Sequence, residues 1–264
     1  MAFENRRSEE LLSTEIAQAI ELLSERAERL SVNLTRRQSD KLARFLEHLE
    51  KFNQHTNLVS NAAPNVVAME HVLDSLSLVD VLSHQFQKRK SGTGRLIDIG
   101  SGAGFPGMIL AILFEDADVT LMDSIEKKTR FLAETADLLE LDNVTILTER
   151  AESIAHHPQY RETFDVATAR AVGGSGMIAE LALPLLDLGG LLILQKTEAQ
   201  LVDESHKARK AAKTLGGVMG SVVALDQDVL GKARSLILVV KENHTPDQYP
   251  RAWKKIKENP LGSN

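Results

Sequence analysis

Through the first third of the chain, apolar residues recur at helical spacing. From about Leu11 to Leu30 they stand at positions 11, 12, 16, 19, 20, 23, 27 and 30, with Glu and Arg between them, which predicts an amphipathic helix. A second helix is expected from near Ser39 to Phe52 on Leu42, Phe45, Leu46 and Leu49, until Asn53 and Asn57 interrupt it. A third, Val66 to Leu82, follows Pro64 and carries the string His71-Val-Leu-Asp74-Ser75-Leu. This third shows no strand pattern and reads as a helical extension over residues 1–90. Ser91-Gly-Thr-Gly94 then makes a flexible joint, and the pattern changes. Short apolar runs predict strands at 95–99, 118–122, 143–148, 164–169, 189–195, 217–225 and 234–241, with helical segments between most of them. Such alternation means a parallel sheet with helices on both faces. The last two runs are joined by a short connection containing Gly231, too short for a parallel crossover, so an antiparallel pair is expected at one edge. The reading is an α/β domain over 91–245 followed by a basic tail over 246–264.

The first predicted strand runs into LIDIGSGAGFPG, Leu96 to Gly107, where an apolar run breaks into glycines at 100, 102, 104 and 107 and resumes as GMILAILF. Strand, tight turn and helix are implied, the helix starting near Phe105. Glycines let a backbone adopt positive φ or approach a ligand closely, and a helix start offers unpaired N–H groups. A nucleotide-like ligand fits. The dinucleotide pattern G-x-G-x-x-G fails here, because its third glycine falls on Phe105. The pattern present, Asp98-x-Gly100-x-Gly102-x-Gly104, resembles motif I of methyltransferases that use S-adenosylmethionine, and seven such strands match the class I, Rossmann-like methyltransferase sheet. A dinucleotide site or a structural glycine turn are the alternatives this motif leaves open.

In open α/β sheets ligands sit beyond the carboxyl ends of the strands. That nominates Gly100 to Phe105 after the first strand, Asp123 after the second, Arg150, Ala151 and Glu152 after the third, Arg170 after the fourth, and Gln195 and Lys196 after the fifth. Asp123 can accept hydrogen bonds from ribose hydroxyls, or it or Ser124 can cap the next helix. Ala151 and Glu152 would lie near adenine, although a Glu at a helix start also serves the dipole. Arg170 ends the apolar or small run FDVATA, so its charge should face the crevice. Strand four lacks the Asn or Asp, two prolines and an aromatic that accompany methylation of exocyclic amines. Ring nitrogens, ribose hydroxyls and small molecules remain as acceptors.

Composition narrows the chemistry. There are no cysteines, which removes disulfides, thiolate zinc sites, cysteine-held iron–sulfur clusters and cysteine nucleophiles. No metal site is expected. The net charge of −6 argues against coating nucleic acid through an overall field, yet basic clusters stand at Lys88 to Lys90, Lys127 to Arg130, Lys207 to Lys213 and Arg251 to Lys257. No apolar run reaches membrane-helix length, and MAFENRRSEE lacks a signal-peptide core. A cytoplasmic protein is expected.

The stretches FNQHTNL, HVLDSL, LIDIGSGAGFPG, VTLMDSIEKKTRFL, Arg150-Ala-Glu152, Ala169-Arg170, GGLLILQK and RSLILVVK together resemble the glucose-inhibited division protein B family, the small-subunit rRNA methyltransferase G enzymes, from about Phe45 to Leu261. The resemblance implies S-adenosyl-L-methionine as cofactor and 16S rRNA in the small ribosomal subunit as partner, with N7 of a guanine as the methyl acceptor at the family's guanine-527 site. It places cofactor contacts on Gly100, Phe105, Ala151, Glu152 and Arg170, with Asp123 at the ribose position, and leaves Arg170 and Lys196 as substrate contacts; Gly102 of the same turn joins the cofactor-site candidates. His71 reads as packing more than as a substrate contact. Guanine N7 carries a lone pair and no proton, so no catalytic acid or base is nominated. A monomer is expected. The chain departs from the family at Phe52, Thr197 and Lys254, where Trp, Gly and Gly are common, which bears on the path of the tail. Small-molecule methylation, a nicotinamide-dependent dehydrogenase and a cofactor-binding module without chemistry are the rival readings.

Overall fold

The computed structural model describes residues 2–88, 93–170 and 172–263. Its first helices are α1 (Ala2–Arg29) and α2 (Arg36–Asn53). Helix α2 starts on a reciprocal cap: Thr35 Oγ1 accepts from Gln38 N at 3.2 Å, and the Gln38 side chain accepts from Thr35 N at 2.9 Å. The third predicted helix is not one helix. It comprises α3 (Pro64–Val67), a π turn (Ala68–Val72), α4 (Leu73–Leu76) and α5 (Val79–Gln87). In the π turn Leu73 N reaches back five residues to Ala68 O. The wider turn keeps Val67, Ala68, Val72, Leu73 and Leu76 in the core while Asp74 is buried beside Arg170. Hydrophobic spacing alone does not register such an insertion, a device often found at functional sites. Half of the predicted joint, Ser91 and Gly92, lies outside the described residues, as do Arg89 and Lys90.

The second part runs β1 (Arg95–Ile99), α6 (Gly107–Leu113), β2 (Asp118–Met122), α7 (Glu126–Leu138), β3 (Val144–Leu147), α8 (Ala151–Ile154), β4 (Phe164–Ala169), α9 (Ser175–Ala182), β5 (Leu186–Thr197), α10 (Glu198–Leu215), β6 (Gly217–Ala224), α11 (Gln227–Leu230), β7 (Arg234–Lys241) and α12 (Trp253–Glu258). One seven-stranded sheet has the order β3-β2-β1-β4-β5-β7-β6. The β1–β5 strands are parallel, and β7 inserts antiparallel between β5 and the edge strand β6. Strand β5 is longer than expected and begins at Leu186. The order reverses at β1 and β4, so their carboxyl ends open the crevice.

Side chains alternate between the faces, as strand geometry requires. Leu96, Val119, Leu121, Val166 and Ile193 share one apolar cluster with Leu23, Leu42, Phe45 and Leu46 of the first two helices. Ile97, Ile99, Ala167, Leu192, Leu194 and Val239 belong to the opposite layer with α8, α9, α10 and α12. The helical lead-in thus completes the layer that the seven-residue α6 covers only in part. Arg26 Nη1 also donates to Asp228 O and Val229 O, both at 3.0 Å, tying α1 to the connection before β7.

The tail is tied down as well. Arg251 Nε and Nη2 grip the fully buried Glu180 carboxylate, each at 2.7 Å, and Arg251 N donates to it at 2.9 Å. No helix among the described residues is long and apolar enough to cross a membrane.

Candidate functional site

The corner after β1 is held from below. Asp98 is fully buried and divides its carboxylate: Oδ1 accepts from Thr168 Oγ1 on β4 at 2.9 Å, and Oδ2 accepts from Gly107 N at 3.0 Å. Burial raises this carboxyl to about 6, against the lowering effect of those hydrogen bonds. Helix α6 therefore starts two residues later than expected, and its first N–H is consumed by Asp98 instead of facing the crevice. Gly107 is required by space, since a Cβ there would lie 2.3 Å from Leu121 Cδ2.

Above this base the backbone turns through Gly100 and Gly102, at φ +72° and +57°. Gly100 N and Ser101 N donate to Met122 O at 2.8 and 2.9 Å, locking the turn to β2. A Cβ on Gly102 would meet nothing closer than Gly100 O at 3.8 Å, so its absence leaves open space rather than relieving a clash. The turn forms the floor of a cavity of about 400 Å³.

Gly100, Gly102, Phe105, Asp123, Ala151, Glu152 and Arg170 all line that cavity. Asp123 is buried; its Oδ2 accepts from Gly102 N at 3.1 Å and pairs with Lys128 Nζ at 3.2 Å, while Oδ1 accepts from Ile125 N at 3.0 Å. It braces the glycine turn from the end of β2, and neither it nor Ser124 is the N-cap of α7, a place taken by Ile125. Ala151 and Glu152 open the short α8 at the end of β3. Glu152 Oε1 lies 4.0 Å from Arg150 Nη1, and the Arg150 guanidinium stands 5.7 Å over the ring of Trp253. Trp253 closes the cavity from the tail. Sequence reasoning missed it, because a lone aromatic in a basic tail carries no positional signal.

Arg170 is fixed from three sides. Its Nη2 is 3.2 Å from His71 Nδ1, its Nη1 is 3.7 Å from Asp74 Oδ2, and its guanidinium lies 5.1 Å from the Phe105 ring centre. His71 packs on Phe105 with ring centres 5.0 Å apart. Burial first, and the Arg170 charge second, hold its imidazole down at about 4, so near neutral pH it is uncharged and Nδ1 accepts from the arginine. Packing was the expected role of His71, and its ring does pack, with orientation of Arg170 added.

Lys196 is not among the cavity-lining residues. Its ammonium pairs with Glu204 Oε2 at 2.9 Å, and the same oxygen takes Ser175 N and Oγ at 2.6 and 2.8 Å. Burial would raise the Glu204 carboxyl, but the bonds from Lys196 and Ser175 outweigh it and bring it to about 2. The expectation of Lys196 as a substrate contact thus meets a cation already committed to α10, a partner that strand-end reasoning does not see.

A model of the GidB family, rRNA small subunit methyltransferase G, matches residues 38–237. The chain is 34% identical over 240 residues to the ribosomal RNA small subunit methyltransferase G of Acetivibrio thermocellus, covering 91% of this chain and 96% of the relative. It is 39% identical over 221 residues to that of Roseiflexus castenholzii, covering 84% and 91%. The crystal structure of MtNAS in complex with MTA and tNA shares the fold, with a TM-score of 0.50 and 14% identity over 75% of this chain and 70% of that one. With a family match over residues 38–237 and relatives 34–39% identical over most of its length, the chain belongs to the GidB family of small-subunit rRNA methyltransferases G.

Proposed function

We propose that this protein transfers the methyl group of S-adenosyl-L-methionine to N7 of a guanine in 16S rRNA. The observation that carries the reading is the cavity itself. Its volume of about 400 Å³ lies within the range of small-molecule sites, and it sits at the sheet's switch point. The residues present suit this cofactor. Gly102 leaves room for close approach, Asp123 offers a carboxylate to ribose hydroxyls, and the α8 start with Ala151 and Glu152 offers an edge for adenine. When bound, the cofactor supplies an electrophilic methyl on a sulfonium.

The protein's own part is positioning. A purine N7 has a free lone pair, so its attack requires no proton removal. The site agrees with that: the histidine beside Arg170 has its Nδ1 engaged and its basicity suppressed, which makes it a poor general base. Aligning two reactants can supply roughly 7–11 kcal/mol of the barrier, the scale expected where acid–base groups are lacking. Arg170 stands at the cavity's edge, where it can hold substrate without placing its charge in the line of transfer.

The test is methyl transfer from radiolabelled donor to small subunits and to naked 16S rRNA from cells lacking the homologous enzyme. Label should appear in one guanosine that becomes labile to borohydride and aniline, as N7-methylated guanosine is. Arg170→Ala should abolish incorporation while the protein stays folded. Incorporation into another base, or none into RNA, refutes the reading.

A further inference from the structure

Beside the donor cavity three cations from two segments of the chain surround one carboxylate. Asp74 on α4 is buried; its Oδ2 lies 3.7 Å from Arg170 Nη1, and its Oδ1 lies 3.7 Å from Lys232 Nζ and 4.0 Å from Arg234 Nε. Arg170 follows β4, Lys232 precedes β7 and Arg234 begins it. Burying one aspartate calls for one cation. Three therefore exceed what this carboxylate needs, even with the Asp98 carboxylate also acting on Arg170, on a chain whose net charge is −6.

The geometry shows that the surplus is not spent internally. All three ion-pair distances exceed hydrogen-bond reach, and Asp74 Oδ1 accepts no hydrogen bond. Other bonds account for only part of the donor capacity: Lys232 Nζ donates to Glu70 O at 3.1 Å and Arg170 Nη2 meets His71. The carboxylate is at the bottom and the cations are between it and solvent, each side chain about a quarter exposed. Burial most of all, and Arg234 least, work against the charge on Arg170, while Asp74 and Asp98 favour it; a further anion over the exposed cations would oppose the Arg234 repulsion. Since Arg170 lines the donor cavity as well, the two features share a wall.

Resting on the proposed rRNA substrate, we propose that Arg170, Lys232 and Arg234, gathered on Asp74, form the seat for a backbone phosphodiester of the RNA strand, which fixes the target base against the donor cavity. Asp74 is the positioning residue of this seat, because it holds the three cations in one place. The neighbouring π turn sets Asp74 and His71 against Arg170 together.

The experiment compares the parent protein with Lys232→Gln, Arg234→Gln and the double variant, with the exposed Arg36→Gln as a control for net charge. Binding of unmethylated small subunits is measured between about 50 and 200 mM salt, and binding of S-adenosylhomocysteine by calorimetry. The slope of log K against log salt should fall by about 1 per residue removed and by about 2 in the double variant, with RNA affinity down tenfold or more. Lys232→Arg should restore it, inorganic phosphate should compete only at far higher concentration than RNA, and S-adenosylhomocysteine binding should stay within twofold. An unchanged salt slope, or donor affinity falling in parallel with RNA affinity, overturns the seat alone. A parent protein that binds no small-subunit RNA overturns the proposed function itself.

Discussion

Asp98→Asn should make this protein more stable at neutral and alkaline pH. Asp98 is fully buried, and its carboxyl is raised from 3.8 to about 6. The folded chain therefore binds this proton more tightly than the unfolded chain does. Its stabilising contribution is fully present below the unfolded value and is lost as pH rises through about 6, so that at neutral pH ionisation penalises the fold by about 3 kcal/mol. Asparagine preserves the shape and both contacts: its oxygen can accept from Gly107 N, and its amide can donate to Thr168 Oγ1, a hydroxyl able to accept. What disappears is the buried charge. Some of the gain is returned, because bonds to an ionised group are stronger than neutral ones. The variant should lead the parent by about 1–3 kcal/mol near pH 8, roughly 3–10 °C in Tm for a chain of this size. The lead should shrink as pH falls below about 6 and vanish only below about 3.8, where the carboxyl is protonated in the unfolded chain as well. Thermal and urea unfolding of both proteins across that range measure the gap directly. A gap independent of pH, or a variant less stable than the parent at pH 8, would refute the account of Asp98 as a buried charge held against a desolvation cost.

Three further outcomes follow from the same geometry. Gly102→Ala should fold with a loss of only about 1–2 kcal/mol from left-handed backbone strain but bind donor poorly, whereas Gly107→Ala, with a Cβ 2.3 Å from Leu121 Cδ2, should lose clearly more stability; unfolding curves and calorimetry separate the two. Trp253, the sole tryptophan, lines the cavity, so its fluorescence should change on titration with S-adenosylhomocysteine and not with NAD; a flat signal despite calorimetric binding would place the ligand away from the tail. Arg251→Ala strips the partner from the fully buried Glu180 and should cost roughly 3–5 kcal/mol by urea denaturation, with Glu180→Gln in the same background recovering part of it.

The strands and the glycine corner were legible in the chain itself. Apolar runs bounded by glycine and polar residues specify strands locally, and β1, β2, β4 and β7 begin and end where the pattern places them. The strand-end argument likewise reached Gly100, Gly102, Phe105, Asp123, Ala151, Glu152 and Arg170, because backbone direction alone decides which end of a parallel sheet opens. Long-range partners were the part that only tertiary structure decided. Arg170 meets His71 across 99 residues, Trp253 reaches the cavity from the far end of the chain, and Lys196 is withdrawn into Glu204 on α10. The π turn belongs with these: one added residue leaves the apolar spacing readable as a helix, yet it turns Asp74 toward cations carried on β4 and β7. Periodicity reports which face of an element is buried; which charge lies against which depends on how separate elements pack, and no local stretch encodes that.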